Sequence, residues 1–349
     1  MKRIFVAALF LAAVVLGGFG QNARQPVLYR DTDIAMGTVI QQNIYVRNDA
    51  EDGGTVTEEI LGLIRRMEQE TLSRRLETAE IYLINRRREG EAHLQISEEL
   101  GEILMECQDV WEASQGAFDV TLAPVIRLWD IDKWSEGAQE GTFAVPERQE
   151  ILQALENCRS GEIRLAKQEN GYEMELPAGT ELDLGAVGKG AALDEIRRVL
   201  EQREEISGGV ISVGGSILVY GAKPDGSSWK VAIVNPADTA SAIGYMSLKG
   251  TWCVSTSGDY ERYAMVDGIR YHHILNPATG YPADSGVRSV TVLSDSGLLS
   301  DALSTACFVL GIEEGMELAE KYGAEALFVD TKGNIVMSPG MEECFTSAK

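Results

Sequence analysis

From Gly209 onward the sequence changes from helix-type to strand-type patterning, and this change limits the folds that the chain can adopt. Five short runs rich in β-branched and aromatic residues follow one another, at residues 210–213, 217–221, 229–235, 243–248 and 252–255. Glycine and proline turns separate them. Because the sequence contains no repeat of fixed period and helical patterns lie on both sides of this region, it predicts an α+β fold.

Apolar residues at helical spacing predict the elements around this region. We expect a first strand at Thr38–Val46, introduced by Met36-Gly37, whose glycine would let the backbone lie close to another group. Two further short strands are expected, around Ile163 and at residues 172–176. Helices are expected at residues 56–72, 79–88, 97–116, 191–201, 300–310 and 312–322, with one more ending at Cys158, an exposed loop at 137–146 and a last hairpin closed at 331–334.

The composition excludes some classes of protein. The chain has 349 residues, 44% hydrophobic and 24% charged, which is typical of a globular protein rather than a disordered one. Its formal net charge of −23 argues against binding nucleic acid or an anionic membrane through a basic surface. An anionic ligand would need local help from a metal, a lysine or a helix end.

The first residues form a targeting segment. Lys2 and Arg3 precede an apolar run at residues 4–16 and small residues up to Gly20. We expect a secretory signal at residues 1–20, in preference to a permanent anchor because the run is short for a membrane span. A linker at 21–34 and one domain at 35–349 would follow, with the folded part outside the cytoplasm.

Five cysteines are spread along the chain, at positions 107, 158, 253, 307 and 344. Their spacing fits neither a zinc site nor a redox motif. We expect buried apolar residues, with one disulfide left open.

Two of the three histidines, His272 and His273, stand side by side before an Asn-Pro and Thr-Gly turn, in the stretch Tyr-His-His-Ile-Leu-Asn-Pro-Ala-Thr-Gly-Tyr-Pro. A turn bounded by proline fixes the backbone, so a histidine here can be held against a substrate. The alternative is that both are ordinary residues at a strand end. Neighbouring side chains in an extended segment point to opposite faces, so only one of the two can address a given site.

Asp301 and Thr305 are four residues apart on one predicted helix face, with Ser300 as the expected N-cap. A carboxylate and a hydroxyl so placed suit a hard cation such as Mg²⁺, and a helix N-terminus favours phosphate. The alternative is that Asp301 only complements the helix dipole.

A glycine-rich stretch, Asp-Leu-Gly-Ala-Val-Gly-Lys-Gly at residues 183–190, links a strand pattern to a helix pattern. Its glycines let the backbone approach a ligand, and Lys189 lies at the helix start, where phosphate is favoured. It is not a Walker A loop, because the glycine–lysine–hydroxyl order is absent. Asp119 and Thr121, in another short link, could cap the next helix or contact a ligand, and spacing alone favours capping.

Six segments in this order resemble the ApbE family of FAD:protein FMN transferases. They are Met36-Gly37-Thr38, residues 116–121, residues 183–190, Gly214-Gly215, residues 273–280 and residues 300–305. The resemblance implies an ApbE-like (T-fold-like) arrangement of mixed sheets flanked by helices. It also implies Mg²⁺-dependent transfer of FMN from FAD to a threonine or serine of an acceptor protein, with release of AMP.

The resemblance carries roles onto particular positions. It implies His273 as the catalytic histidine, and Asp301, Thr305 and the main-chain carbonyl of Ala186 as metal ligands. The FAD contacts it implies are Met36, Ala117, Phe118, Asp119, Asp183, Lys189 and Leu275. It implies acceptors among subunits of membrane redox pumps and extracytoplasmic electron-transfer proteins, with no self-flavinylation.

The chain departs from the family pattern in two places. Ser216 follows Gly214-Gly215 where relatives usually carry an acidic or amide residue, and no lipobox cysteine follows the leader. Two other functions fit the same motifs. One is an FAD pyrophosphatase that yields free FMN and AMP, and the other is a non-catalytic flavin-binding protein, which would need neither the Asp301–Thr305 pair nor His273.

Overall fold

The computed structural model describes residues 25–47, 53–88, 90–131, 133 and 143–348. The predicted targeting segment at 1–20 and most of the predicted loop at 137–146 lie outside these residues. Within the described ranges, no helix combines the length and apolarity needed to cross a membrane.

An eight-stranded sheet forms the centre of the molecule, and each strand runs antiparallel to its neighbours. In spatial order its strands are β1 (Val27–Ala35), β2 (Thr38–Val46), β6 (Ile206–Val213), β7 (Ser216–Gly221), β10 (Trp252–Gly258), β13 (Val287–Ser294), β14 (Glu325–Asp330) and β15 (Ile335–Met337). Three small sheets complete the strands: β3 (His93–Ile96), β5 (Gly171–Glu175) and β4 (Arg164–Gln168); β16 (Phe345–Ser347), β9 (Asp238–Leu248) and β8 (Trp229–Asn235); and the hairpin of β11 (Tyr263–Val266) and β12 (Ile269–His272).

Nine α-helices lie in the described residues. They are α1 (Gly53–Met67), α2 (Glu80–Asn85), α3 (Glu98–Ala113), α4 (Ala123–Trp129), α5 (Arg148–Leu155), α6 (Gly188–Glu201), α7 (Gly297–Leu310), α8 (Ile312–Lys321) and α9 (Pro339–Cys344). A π-helical turn, Glu68–Leu72, extends α1, and a short 3₁₀ turn occupies Ser160–Glu162.

The central sheet is buried on both faces, because adjacent residues of one strand enter different cores. Leu218 packs in the large core beneath the helices, whereas its neighbour Val219 packs in the core under the β8–β9–β16 sheet. Cys253 and Val254 divide in the same way. Strands covered on both sides read as continuous apolar runs, which explains the strength of the strand pattern after Gly209.

Two predictions about this architecture were wrong. Residues 27–34, assigned to a linker, belong to β1; it is an edge strand rich in polar residues, with Arg30 and Thr32 exposed, so its pattern resembles a linker. Ser300 does not cap α7: the N-cap is Ser296, whose hydroxyl accepts from the Leu299 N–H, and Ser300 is buried one turn later. The five cysteines are free, three of them buried as expected and two half-buried, so the disulfide that the sequence left open does not form.

Other predictions were confirmed. The fold is mixed α and β with antiparallel sheets, the strand Thr38–Val46 has the predicted bounds, and Ser97 caps α3 by accepting from the Leu100 N–H. The final hairpin between β14 and β15 is present.

Candidate active site

All eleven residues predicted to form a site line one cavity of about 610 Å³. They come from segments far apart in the sequence: the β1–β2 turn, the link before α4, the glycine-rich turn before α6, the segment after β12, and α7. In chain order they are Met36, Ala117, Phe118, Asp119, Asp183, Ala186, Lys189, His273, Leu275, Asp301 and Thr305.

Asp301 is buried on α7, and its carboxylate is held on both oxygens. The Ser216 hydroxyl donates to Oδ1 at 2.5 Å, and the Gly190 N–H donates to Oδ2 at 2.7 Å. The Lys189 ammonium is 4.0 Å from Oδ2. Ser216, where the chain departs from the family pattern, therefore positions the predicted metal-binding carboxylate by a hydrogen bond.

Thr305 continues this wall one turn further along α7. Its Oγ1 is 3.3 Å from Ser257 Oγ on β10, and the same serine is 2.8 Å from Ser304 Oγ. A second serine pair, Ser255 and Ser300, lies at 2.8 Å deeper in the α7–β10 contact. Hydrogen bonds between hydroxyls thus fix α7 on the sheet and set the orientation of its cavity face.

α6 and α7 touch backbone to backbone beside Asp301. A Cβ added to Gly190 would lie 2.1 Å from the Gly297 carbonyl oxygen, and one added to Gly297 would lie 2.3 Å from the Gly190 oxygen. Gly190 is therefore needed for helix packing and for its N–H bond to Asp301, rather than for closeness to a ligand as the sequence suggested. Lys189 does lie at the start of α6, as predicted.

Asp183 begins the glycine-rich turn, and both of its carboxylate oxygens have partners. Oδ1 accepts the Gly185 N–H at 2.7 Å, and Oδ2 forms a short ion pair with the Arg74 guanidinium. Both side chains are largely buried, with 10% of Asp183 and 24% of Arg74 exposed. Arg74 and its neighbour Arg75 line the cavity, and the sequence analysis missed both of them.

His272 and His273 point to opposite sides, as an extended segment requires. The His272 ring is buried edge-on against Phe308, with Nε2 at 3.0 Å from the Ala283 carbonyl oxygen and Nδ1 accepting the Ile274 N–H at 3.3 Å. Burial lowers the pKa of His272, so its neutral form is favoured. This ring therefore supports the backbone and does not reach the cavity.

His273 lines the cavity and is oriented by one backbone carbonyl. The Arg262 oxygen accepts the His273 N–H at 3.1 Å and lies 3.2 Å from its Nδ1. A carbonyl oxygen can only accept, so Nδ1 carries the proton and the lone pair of the ring is on Nε2. That tautomer is the one that a proton-accepting histidine requires.

The turn after His273 is tied to the neighbouring aromatic cluster. The Asn276 carbonyl accepts the Gly280 N–H at 2.7 Å, and the Gly280 carbonyl accepts the Trp129 indole N–H at 2.7 Å. The Trp129 ring stacks on Tyr271 and meets Tyr281 edge-on, both at centroid distances of 5.6 Å. The backbone that carries His273 and Leu275 is thus clamped on both sides.

The β1–β2 turn forms another edge of the cavity. Met36 has a positive φ of 51° and Gly37 one of 66°, as a two-residue hairpin loop of type I′ requires. Among the residues that the structure describes, no atom lies within 4 Å of a Cβ built on Gly37, so the glycine supplies backbone conformation and not a close approach to another group there. The Met36 N–H donates to the Glu68 carboxylate at 2.9 Å, which fixes the turn.

Asp119 does not cap α4, contrary to the interpretation that spacing favoured. The helix begins after Leu122, which makes no side-chain cap. Asp119 Oδ1 instead accepts from the Thr121 N–H, the Thr121 hydroxyl and the Ser160 hydroxyl, at 2.5–2.6 Å. These bonds hold the Asp119 carboxylate at the cavity wall, whereas Thr121 is fully buried.

Charges of both signs face the cavity. The lining carboxylates belong to Glu68, Asp119, Asp183, Glu261 and Asp301, and the lining cations to Arg74, Arg75, Lys189 and Arg262. Glu261 is open to the cavity but surrounded by protein, and this loss of bulk water raises its pKa, while Lys189 and Arg262 oppose the rise. Within the described ranges, no group of three or more His, Cys, Asp or Glu side chains is arranged to hold a metal.

Comparisons with known proteins identify the class of this site. The sequence model of the ApbE family matches residues 36–328. An FAD:protein FMN transferase of Treponema pallidum (strain Nichols) is 30% identical over 355 residues, which cover 97% of this chain and 94% of the relative. One from Escherichia coli (strain K12) is 29% identical, over 73% of this chain and 72% of the relative.

Solved structures agree with the sequences. The ApbE protein of Thermotoga maritima has a TM-score of 0.79 and 31% identity, and the match covers 91% of this chain and 99% of that one. The apo form of the flavinyl transferase ApbE of Pseudomonas stutzeri also has a TM-score of 0.79, with 26% identity, covering 94% and 100%. This chain belongs to the ApbE family.

Proposed function

We propose that this protein transfers FMN from FAD to the hydroxyl of a threonine or serine in an acceptor protein and releases AMP. The relatives named above are FAD:protein FMN transferases. The observation that carries the proposal is the cavity, in which segments from residue 36 to residue 305 place an oxygen-rich wall, a histidine and a lysine around one space. A flavin carrier would need neither this wall nor the oriented His273.

His273 serves as the general base in this proposal. Its Nδ1–H is held by the Arg262 carbonyl, so Nε2 takes the proton from the acceptor hydroxyl as that oxygen attacks the FMN phosphorus of FAD. The bond from this phosphorus to the oxygen of AMP breaks as the new phosphoester bond forms. AMP leaves with the electron pair of the broken bond.

The donor set fits Mg²⁺, which the family resemblance implies. Asp301 supplies one anionic oxygen, and Thr305 and the Ala186 carbonyl supply neutral ones, a set of hard ligands that suits this ion. When bound there, the ion would neutralise phosphate charge and favour departure of AMP.

The acceptors we propose are subunits of membrane redox pumps or electron-transfer proteins outside the cytoplasm. The targeting pattern of residues 1–20 supports an extracytoplasmic location, either secreted or anchored. The net charge of −23 gives no support for a nucleic-acid partner.

Intact mass spectrometry tests the function directly. Purified protein is incubated with FAD, Mg²⁺ and a candidate acceptor, and the acceptor should gain the mass of one FMN less one water while AMP accumulates. Parallel reactions omit the acceptor. Free FMN with an unmodified acceptor would instead establish FAD pyrophosphatase activity, and flavin binding with no AMP would establish a carrier.

A further inference from the structure

Arg74 lines the cavity but is not one of the eleven residues predicted to form the site. It lies just after the π-helical turn, in a tight turn where the Ser73 hydroxyl accepts the N–H groups of Arg75 and Leu76 at 3.1 and 3.2 Å. Its guanidinium pairs with Asp183 Oδ2. Both ends of the residue are therefore fixed, the backbone by the turn and the side chain by the carboxylate.

Arg74 also shares its surroundings with the proposed base. Arg74 lines the main cavity and also a smaller recess of about 20 Å³ beside it, and His273 and Leu275 line both spaces as well. Arg74 is thus at the His273 end of the cavity. In the proposed reaction the attacked phosphorus must also be there, within reach of the base.

Two cation–carboxylate pairs bracket the glycine-rich turn. Arg74 pairs with Asp183 at its first residue, and the Lys189 ammonium is 4.0 Å from Asp301 at its other end. The two phosphates of FAD carry negative charge into a cavity that already has more carboxylates than cations among its described lining residues. A planar guanidinium with several fixed N–H donors suits phosphate oxygens better than a lysine does.

We propose that Arg74, held in position by Asp183, is a phosphate-binding residue that contacts the FMN phosphate of FAD beside His273. This inference rests on the proposed function for its choice of ligand. It gives Asp183 the role of positioning Arg74, through the ion pair between its Oδ2 and the guanidinium.

A comparison of FAD with riboflavin tests the inference without an acceptor. Riboflavin has the flavin ring and ribityl chain but no phosphate, so only FAD affinity should depend on a phosphate-binding arginine. We expect Arg74→Gln, which keeps a hydrogen-bond donor for Asp183, to weaken FAD binding about 10- to 100-fold by calorimetry and to leave riboflavin binding unchanged. Arg74→Lys should fall between Arg74→Gln and the parent, because a lysine keeps the charge and loses the paired donors.

The matched control is Arg127→Gln. Arg127 forms two hydrogen bonds with Glu181, at 2.5 and 2.9 Å, and Glu181 is two residues before Asp183. Arg127 itself does not line the cavity. This variant should leave both flavin affinities unchanged. Thermal melting of each variant, taken alongside, checks that the fold is retained.

The outcomes separate this inference from the proposed function. Equal changes for FAD and riboflavin in Arg74→Gln, or no change for either, would overturn the role of Arg74 even if the parent protein transfers FMN. If Arg74→Gln loses affinity for FAD alone, while the parent protein modifies no acceptor, the result would support Arg74 as a phosphate ligand and refute the transferase.

Discussion

The cavity has two walls that are built differently. The Asp301 wall belongs to the core: Asp301, Ser216 and Ser300 are buried, and the carboxylate is bound to strand β7 and helix α6 by hydrogen bonds. The His273 wall belongs to a two-stranded hairpin and the turn after it, and His273 itself is only partly buried. The Asp301 wall is thus part of the buried core, whereas the His273 wall is a surface segment held against the core by its turn.

The two walls therefore differ in whether the same residues serve both the stability of the protein and its activity. Groups of the Asp301 wall hold the protein together as well as the proposed ligand, so their removal should lower both activity and stability. On the His273 wall the two tasks fall to adjacent residues: His272 packs against Phe308, and His273 faces the cavity. Mutations that separate the two properties therefore test the comparison.

The largest effect is expected from Asp301→Ala. The change removes the carboxylate of the proposed Mg²⁺ site and leaves the Gly190 N–H and the Ser216 hydroxyl without their acceptor. FMN transfer should fall to background, and the free energy of unfolding should fall by about 1–3 kcal/mol while the protein remains folded. Transfer at the parental rate with trace Mg²⁺ would refute the metal site, and an unchanged melting curve would refute the structural part.

The next effect concerns the base. His273→Ala should lower the transfer rate by about 10²–10⁴-fold with little change in FAD affinity or unfolding free energy, because the ring acts on the proton and carries little packing. His272→Ala should do the reverse, with a mild loss of rate and a lower melting temperature, since it empties the site against Phe308. Rates from single turnovers, FAD affinity and melting are measured on both. A slower His272→Ala enzyme would reverse the assignment.

A smaller effect, on stability first, is expected where α6 and α7 touch. Gly297→Ala places a methyl group 2.3 Å from the Gly190 oxygen, so the helices must separate, at a cost of about 1–3 kcal/mol. Asp301 should move with α7, and transfer should weaken. Gly62→Ala on α1 is the control, because nothing lies within 4 Å of its new methyl group, and it should leave stability unchanged or raised by up to about 1 kcal/mol. Chemical denaturation measures the free energy of unfolding of both variants. Equal effects would refute the close contact between α6 and α7 as the cause of the loss.

The sequence predicted which residues line the cavity better than it predicted the contacts that hold them in place. All eleven predicted residues line one cavity. Most of them were assigned through the family resemblance, whereas helical spacing alone also indicated the pair Asp301 and Thr305. Arg74 was missed because its proposed role depends on a contact with Asp183, 109 positions later, and the sequence around it resembles an ordinary polar link. Gly190 was misread because a glycine needed for helix contact looks the same as one needed for a ligand.

Two element boundaries were predicted wrongly because tertiary contacts set them. Ser300 was expected as the N-cap of α7, but the Asp194 carboxylate accepts the N–H groups of Gly297 and Leu298, and α7 starts one turn earlier. Strand β1 alternates polar residues on an open edge, and no sequence pattern distinguishes that from a linker. Both errors come from tertiary partners that a single sequence does not display.

The smallest expected effect is a pH dependence of opposite sign at two half-buried or buried groups, Glu106 and His272. On α3, burial and the nearby carboxylates of Asp194, Asp109 and Asp295, opposed by Arg198, raise the pKa of Glu106 to about 7. Because the folded pKa is above the unfolded one, the native state holds this proton more tightly. The stability it contributes is present below about pH 4.5 and is lost as the pH rises through about 7.

His272, at the end of β12 in the hairpin that carries His273, gives the opposite sign. Its folded pKa lies below its ordinary value of 6.5, so the stability linked to its neutral form is present above pH 6.5 and is lost as the pH falls through the folded pKa. Unfolding free energies from pH 5 to pH 8 should show Glu106→Gln gaining about 1–2 kcal/mol on the parent at the alkaline end, allowing for the partial exposure of Glu106. His272→Gln should reduce the loss of stability at the acid end only. If the two variants change the same limb of the pH profile, Glu106 and His272 do not contribute with opposite sign, and the expected difference between the helical core and the hairpin that carries His273 is refuted.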